Sequence, residues 1–216
     1  MDLSPPLEEI TARIMVSGRR GARRVVALAG PPASGKSTLA EVLAGRLTLS
    51  GCPAQVVPMD GFHLDDRVLE ARGLLSRKGA PETFDLDGFT VLAARLSEAR
   101  EVVYPVFDRT REIAIAGAGF VPAACDTVVV EGNYLLFDSP GWRDLGRFWD
   151  VSIRLEADIE VLRARLMERW TGFGLSLEQS RAKAEGNDLP NAELVLSNPT
   201  PADIICASVA TRADAP

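Results

Sequence analysis

Residues 30 to 38 read G-P-P-A-S-G-K-S-T and directly follow the apolar run Val25-Val26-Ala27-Leu28-Ala29. Glycine and proline both weaken helices, so local stability does not explain this choice where a strand gives way to a helix. A phosphate does. Gly30, four residues, then Gly35-Lys36-Ser37 is the G-x-x-x-x-G-K-[ST] phosphate-loop pattern in its required strand-to-helix setting. The glycines let the backbone curl with its N–H groups inward, and the helix that follows turns its positive end toward the anion. Gly30, Ala33, Ser34, Gly35, Lys36, Ser37 and Thr38 are therefore the candidate nucleotide-binding residues. Lys36 is expected to reach the β- and γ-phosphates, and Ser37 to hold Mg2+.

This loop serves switches, motors and transferases alike, so other residues must select the reaction. A guanine-specific N-K-x-D element is absent, because the only lysines are Lys36, Lys78 and Lys183. D138-S-P-G141 spells D-x-x-G and reads as a turn in that setting. M59-D60-G61-F62-H63 falls at the end of the second predicted strand, where open α/β sheets place ligand-contacting groups. A carboxylate there can orient an attacking hydroxyl and accept its proton. The local sequence fits a surface Asp-Gly turn equally well.

Elements that must position these groups follow from periodicity. Leu7 to Ser17 carries apolar residues at helical spacing, with Ser4-Pro5 as its start. Strands are expected at 23–29, 54–59, 127–130, 151–155 and 202–207, and helices at 36–50, 65–72, 87–100, 158–170 and near 177–184. Residues 102–107 and 112–116 read as a hairpin. Strands alternating with helices predict a three-layer α/β/α, doubly wound parallel sheet.

The motif set, comprising the phosphate loop, D60-G-F-H63, R77-K-G-A-P-E-T-F-D85, Y104-P-V-F-D-R109 and E131-G-N-Y134, resembles the P-loop small-molecule kinases related to uridine kinase, pantothenate kinase and phosphoribulokinase. The resemblance spans roughly residues 24 to 206. K78-G-A-P-E-T-F-D85 and N187-D-L-P-N191 are most similar to a bacterial nucleoside/nucleotide kinase-like group often labelled fructose transport system kinase. The fold so implied is that of P-loop NTP hydrolases, with a lid and a substrate-binding insertion.

By this resemblance Asp60 takes the place of a general base, and Glu131 that of an acidic residue supporting Mg2+; a carboxylate paired with a nearby Arg is the alternative for Glu131. Asp108, Arg109 and Arg111 match a substrate-contacting segment loosely, and a solvated charged turn fits them as well. His63 and Lys78 are candidates for contacting a polar or anionic acceptor. Arg163, Arg165 and Arg169 lead into T171-G-F-G-L-S176, which resembles the lid of these kinases. Arg165 and Arg169, four apart, share a helical face and could meet the charge of a transferring phosphoryl group. A basic outer helix face is the plainer reading.

The expected unit is one kinase domain over 1–216, with a leading helix in 1–22, a substrate-binding region in 60–120, a lid in 163–187 and a flexible tail in 208–216. ATP and Mg2+ are the expected cofactors. The acceptor is expected to be a small hydroxyl compound, with a fructose-like sugar favoured over a nucleoside or a pantothenate-type molecule. A nucleotide-binding regulator without kinase activity is the alternative of another class. With 46% apolar and 25% charged residues and a net charge of −6, the chain has no basic stripe for nucleic acid, which argues against phosphorylation of nucleic-acid ends. It also lacks an apolar stretch long enough for a membrane span. Cys52, Cys125 and Cys206 are widely separated and read as reduced, mostly buried thiols. With no secretory signal at the N-terminus, the expected location is the cytoplasm, as a monomer or homodimer.

Overall fold

A strand covered on both faces must be apolar at nearly every position, and the centre of this molecule is built from two such segments. The computed structural model describes residues 3–98 and 101–208. Its elements are β1 (Leu3–Ser4), α1 (Leu7–Val16), β2 (Arg24–Ala29), α2 (Lys36–Leu49), β3 (Ala54–Pro58), α3 (Asp66–Ala71), α4 (Leu86–Glu98), β4 (Val102–Asp108), β5 (Ile113–Val121), β6 (Thr127–Gly132), β7 (Val151–Glu156), α5 (Ile159–Gly172), α6 (Leu177–Lys183), α7 (Leu189–Ser197) and β8 (Ile204–Ser208). Every residue of β2 and β6 is buried.

The main sheet runs β1-β8-β7-β2-β6-β3. β6 lies between β2 and β3, pairing Val26 with Val129 on one side and Val57 with Val130 on the other. All pairings are parallel except β1 with β8. Alternation along β2 sends Val25 and Ala27 into one core with Phe89, Leu92 and Leu96 of α4. Val26 and Leu28 enter the other, with Ile10 of α1 and Leu39, Leu43 and Leu47 of α2. The result is helix, sheet, helix: a mixed α/β fold with a mostly parallel central sheet.

Several expectations need correction. β1 is an antiparallel edge strand that its two residues could not announce, and it takes Ser4 out of the helix start; α1 begins after Pro6 without a side-chain cap. β5 runs on to Val121, well past the expected hairpin end. After α6 the chain widens into a π-helical turn, Ala184–Asp188, and continues as α7 to Ser197, so the helical run extends about fourteen residues beyond Lys183. The C-terminal end of the helix expected over 87–100 and the tail from 209 onward lie outside the described residues.

β4 and β5 form a separate two-stranded antiparallel sheet. It packs through Val102, Tyr104 and Val121 onto the α4 side of the core. Gly61 permits its close approach: a Cβ there would sit 2.0 Å from the Pro105 carbonyl oxygen. Three free cysteines are present, with Cys125 and Cys206 buried and Cys52 half-buried. No helix among the described residues is long and apolar enough to cross a membrane.

Candidate active site

Between β2 and α2 the backbone turns through left-handed conformations at Ala33 (φ 62°) and Gly35 (φ 90°). Gly35 adopts this freely, whereas at Ala33 it costs about 1–2 kcal/mol. Gly35 is also the N-cap of α2 and supplies no side chain, so the first N–H groups of that helix have no side-chain acceptor. Gly30 has to be glycine for another reason: a Cβ would fall 2.8 Å from Ser34 Oγ. The Ser34 hydroxyl itself is buried and has no hydrogen-bond partner among the described residues.

Lys36 opens α2 between two carboxylates. Burial pushes its ammonium pKa down, and Glu131 and Asp60 work against that shift. Glu131, 5% exposed near the end of β6, accepts a hydrogen bond from Ser37 Oγ at 3.2 Å. Burial raises the Glu131 pKa, opposed chiefly by Lys36. Ser37 and Glu131 thus present two hard oxygen ligands side by side. Among the described residues no group of three or more His, Cys, Asp or Glu could cage a metal. A few protein oxygens with the remaining positions left to phosphate and water is the donor set that suits Mg2+.

Asp60 sits in a 3-10 turn, Met59–Phe62, that continues β3. The turn alternates its side chains: Met59 and Phe62 enter the core, while Asp60 and His63 line the cavity. Arg109, at the end of the β4–β5 hairpin, forms an ion pair with the Asp60 carboxylate. Burial acts to raise the Asp60 pKa, but Arg109, His63, Lys36 and Arg169 together outweigh it and hold the carboxyl below its usual range. His63 lies between the Phe84 and Phe107 rings, with centroids at 4.1 and 4.6 Å. Its Nδ1 is 2.7 Å from the Asp60 carbonyl oxygen. Burial lowers the His63 pKa, which favours neutral imidazole near pH 7.

The opposite wall comes from α5, the π-helical turn and α7. Arg169 lines the cavity, and its guanidinium stands 5.5 Å from the Trp170 ring centroid. Trp170 Nε1 donates to Asp188 at 2.6 Å, and Lys183 Nζ lies 4.2 Å over the same ring. Asn187 Nδ2 reaches across to the Lys78 carbonyl at 2.7 Å, joining this wall to the loop after α3.

One cavity of about 830 Å³ collects Lys36, Asp60, His63, Lys78, Arg109 and Arg169. The other expected residues divide differently. Asp108 builds the hairpin turn, accepting from the backbone N–H groups of Thr110 and Arg111 at 3.0 Å each. Arg111 is 63% exposed and pairs with Asp108 at 3.8 Å. Neither lines the cavity, so the charged-turn reading describes both. Arg165 donates to the Ser34 carbonyl at 3.4 Å, bracing the phosphate loop from behind. Arg163 is turned away, pairing with Glu160 and Glu185. D138-S-P-G141 is a turn, with Gly141 at φ 81° and Asp138 paired to Arg143.

Sequence reasoning did not single out Asp66, Glu112, Lys183, Asn187 or Asn191 as cavity residues. One signal for Lys183 was available: the chain has only three lysines, and all three line this cavity.

A phosphate loop ending β2, a carboxylate beyond the end of β3, a second carboxylate ending β6 and an arginine-bearing helix opposite define a P-loop kinase. More particularly, the chain belongs to the Phosphoribulokinase / Uridine kinase family, whose model matches residues 25–178. The uncharacterized protein YggC of Escherichia coli K12 is 38% identical over 205 residues, 93% of this chain and 84% of YggC. A "putative uridine kinase" of Schizosaccharomyces pombe is 32% identical over 193 residues, covering 85% of this chain and 82% of that one. Among solved structures, a "putative fructose transport system kinase" from Silicibacter sp. TM1040 shares 52% identity with a TM-score of 0.90, over 93% of this chain and 98% of its own.

Proposed function

We propose that this kinase moves the γ-phosphoryl group of ATP to a hydroxyl of a small metabolite, with a sugar-like alcohol as the preferred acceptor and a nucleoside next. The observation that carries the reading is that Asp60, held ionised, shares one cavity with Lys36 and Arg169. In the transfer, the bond between the γ-phosphorus and the ADP leaving oxygen breaks as the acceptor oxygen bonds to phosphorus, and the hydroxyl proton passes to Asp60. Arg109 keeps Asp60 charged and aimed. A weak base suffices, because in a loose transition state the hydroxyl loses its proton late and positioning dominates.

Loop amides with Lys36 hold the β- and γ-phosphates, and Arg169 meets charge on the equatorial oxygens. Ser37 and Glu131 would hold Mg2+, directly or through water, and the bound ion supplies charge neutralisation across the phosphate oxygens. Trp170 and Phe173, both on the cavity wall, would exclude water on closure. The protein works in the cytoplasm, where ATP is available. A coupled ADP-release assay across sugars, nucleosides and vitamins tests the reading. Acceptor-dependent ADP release is expected; release no faster than the acceptor-free control, with nucleotide binding confirmed, would replace it with a regulator.

A further inference from the structure

The cavity is electrically lopsided. Its phosphate-loop and lid side carries the three cations Lys36, Arg169 and Lys183 against one further carboxylate, Asp188, which accepts from Trp170 Nε1. On the hairpin side every cation is already met by a carboxylate. Arg109 is paired with Asp60, and Lys78 Nζ lies 2.6 Å from Asp66 and 3.6 Å from Glu112. Lys78 also donates to the Glu112 carbonyl at 2.9 Å. Burial pushes the His63 pKa down, which disfavours its cationic form. That leaves one carboxylate in excess on the wall beside Asp60, and among the described residues no unpaired cation on that wall to receive a second anion.

Hydrogen-bonding valences point the same way. Asn187 gives one amide N–H to the Lys78 carbonyl, and Asn187 Oδ1 accepts from Asn191 Nδ2 at 3.3 Å. At the end of this chain Asn191, 2% exposed on the cavity wall, has an Oδ1 without a donor among the described residues. A buried acceptor without a donor is costly, so a ligand that supplies one gains binding free energy there. A hydroxyl of a polyhydroxy compound can donate to it. Phe107 and Leu75 add apolar surface on the same side, suited to the C–H faces of a carbon skeleton.

We propose that the acceptor is an uncharged polyhydroxy compound, bearing no phosphate or carboxylate of its own, selected by the paired charges around Lys78 and the unpaired acceptor of Asn191. This rests on the kinase reading above and narrows it: a phosphate or carboxylate of the acceptor on the hairpin side would meet a wall whose cations are already paired.

Matched pairs separate the two levels. The protein saturated with Mg2+ and the non-transferable analogue adenosine 5′-(β,γ-imido)triphosphate is titrated calorimetrically with D-fructose and D-fructose 6-phosphate, uridine and UMP, glycerol and glycerate. In at least one pair the neutral member should bind about tenfold tighter or more, roughly 1.4 kcal/mol. A phosphorylated or carboxylated member that binds as tightly as its neutral partner in every pair, or no binding by any neutral member, overturns the inference. ADP release with ATP is measured on the same compounds: neutral binding without turnover sinks the kinase reading and leaves the acceptor-class inference standing. As a second handle, the Asp66→Asn/Glu112→Gln double variant frees Lys78 without changing side-chain size and should bind fructose 6-phosphate about tenfold tighter than the wild type does. No gain in a folded variant would overturn the role given to that wall.

Discussion

The two ends of the cavity are built in opposite ways. The phosphate end is contiguous in sequence and made largely of backbone: one loop between β2 and α2, a left-handed turn at Gly35 and an uncapped helix start, with Glu131 brought alongside by the adjacent strand. The end proposed to hold the acceptor is made of side chains from far-apart segments, joined by Asp60 to Arg109, Lys78 to Asp66, and Asn187 to the Lys78 carbonyl. A triphosphate is the same for every kinase of this kind, so a rigid backbone cradle serves all of them. The acceptor differs, and side-chain ion pairs and amides can change one residue at a time.

If this contrast is right, the deepest loss should come from the phosphate end. On the proposed mechanism Lys36→Ala removes a charge that both binds ATP and stabilises transfer, so kcat/KM should fall about 10³-fold or more, with KM for ATP raised. Steady-state kinetics check this; a fall confined to the acceptor KM would break the division between the two ends.

Asp60→Asn should lower kcat by about 10²–10³-fold while ATP affinity, measured by titration, changes little. Loss of ATP binding here would mean that the two ends are not separable.

Arg109→Ala should cost about tenfold in kcat, in line with one positioning charge, and should move the pH profile. Arg109 is the strongest influence lowering the Asp60 pKa, while burial pushes it up. Without Arg109 the pKa rises, Asp60 takes up its proton at higher pH, and the acid limb of kcat must shift upward. An acid limb that stays in place would take Asp60 out of the rate-limiting protonation.

The smallest effect belongs to the frame beneath the acceptor end. Tyr134, fully buried, donates to the Gly79 carbonyl at 2.6 Å. Tyr134→Phe should cost about 1 kcal/mol in urea unfolding with kcat nearly unchanged; a large fall in kcat would show that the 78–79 loop is set by this one bond.

Part of this was readable in the residues. The phosphate loop, the parallel architecture and the family resemblance were legible because each is local: turn chemistry, period and spacing are properties of short segments. The three arginines of α5 were not separable in the same way. Arg163, Arg165 and Arg169 are alike in sequence, and their different positions depend on how Leu162 and Leu166 seat the helix, both being fully buried. The charged hairpin turn was equally ambiguous. Asp108 and Arg111 hold it while Arg109 alone reaches Asp60, a distinction set by the pairing of β4 with β5.

By itself, then, the amino-acid sequence determined that this protein cradles a phosphate at the end of a buried strand and belongs among small-molecule kinases, because backbone conformation and helix ends are dictated by neighbours in the chain. Only the tertiary structure decided that β6 would run between β2 and β3, that all three lysines would meet in one cavity, and that Lys78 would arrive there already neutralised. Those outcomes depend on side chains dozens of residues apart coming within a few ångströms, and no local pattern encodes such a distance.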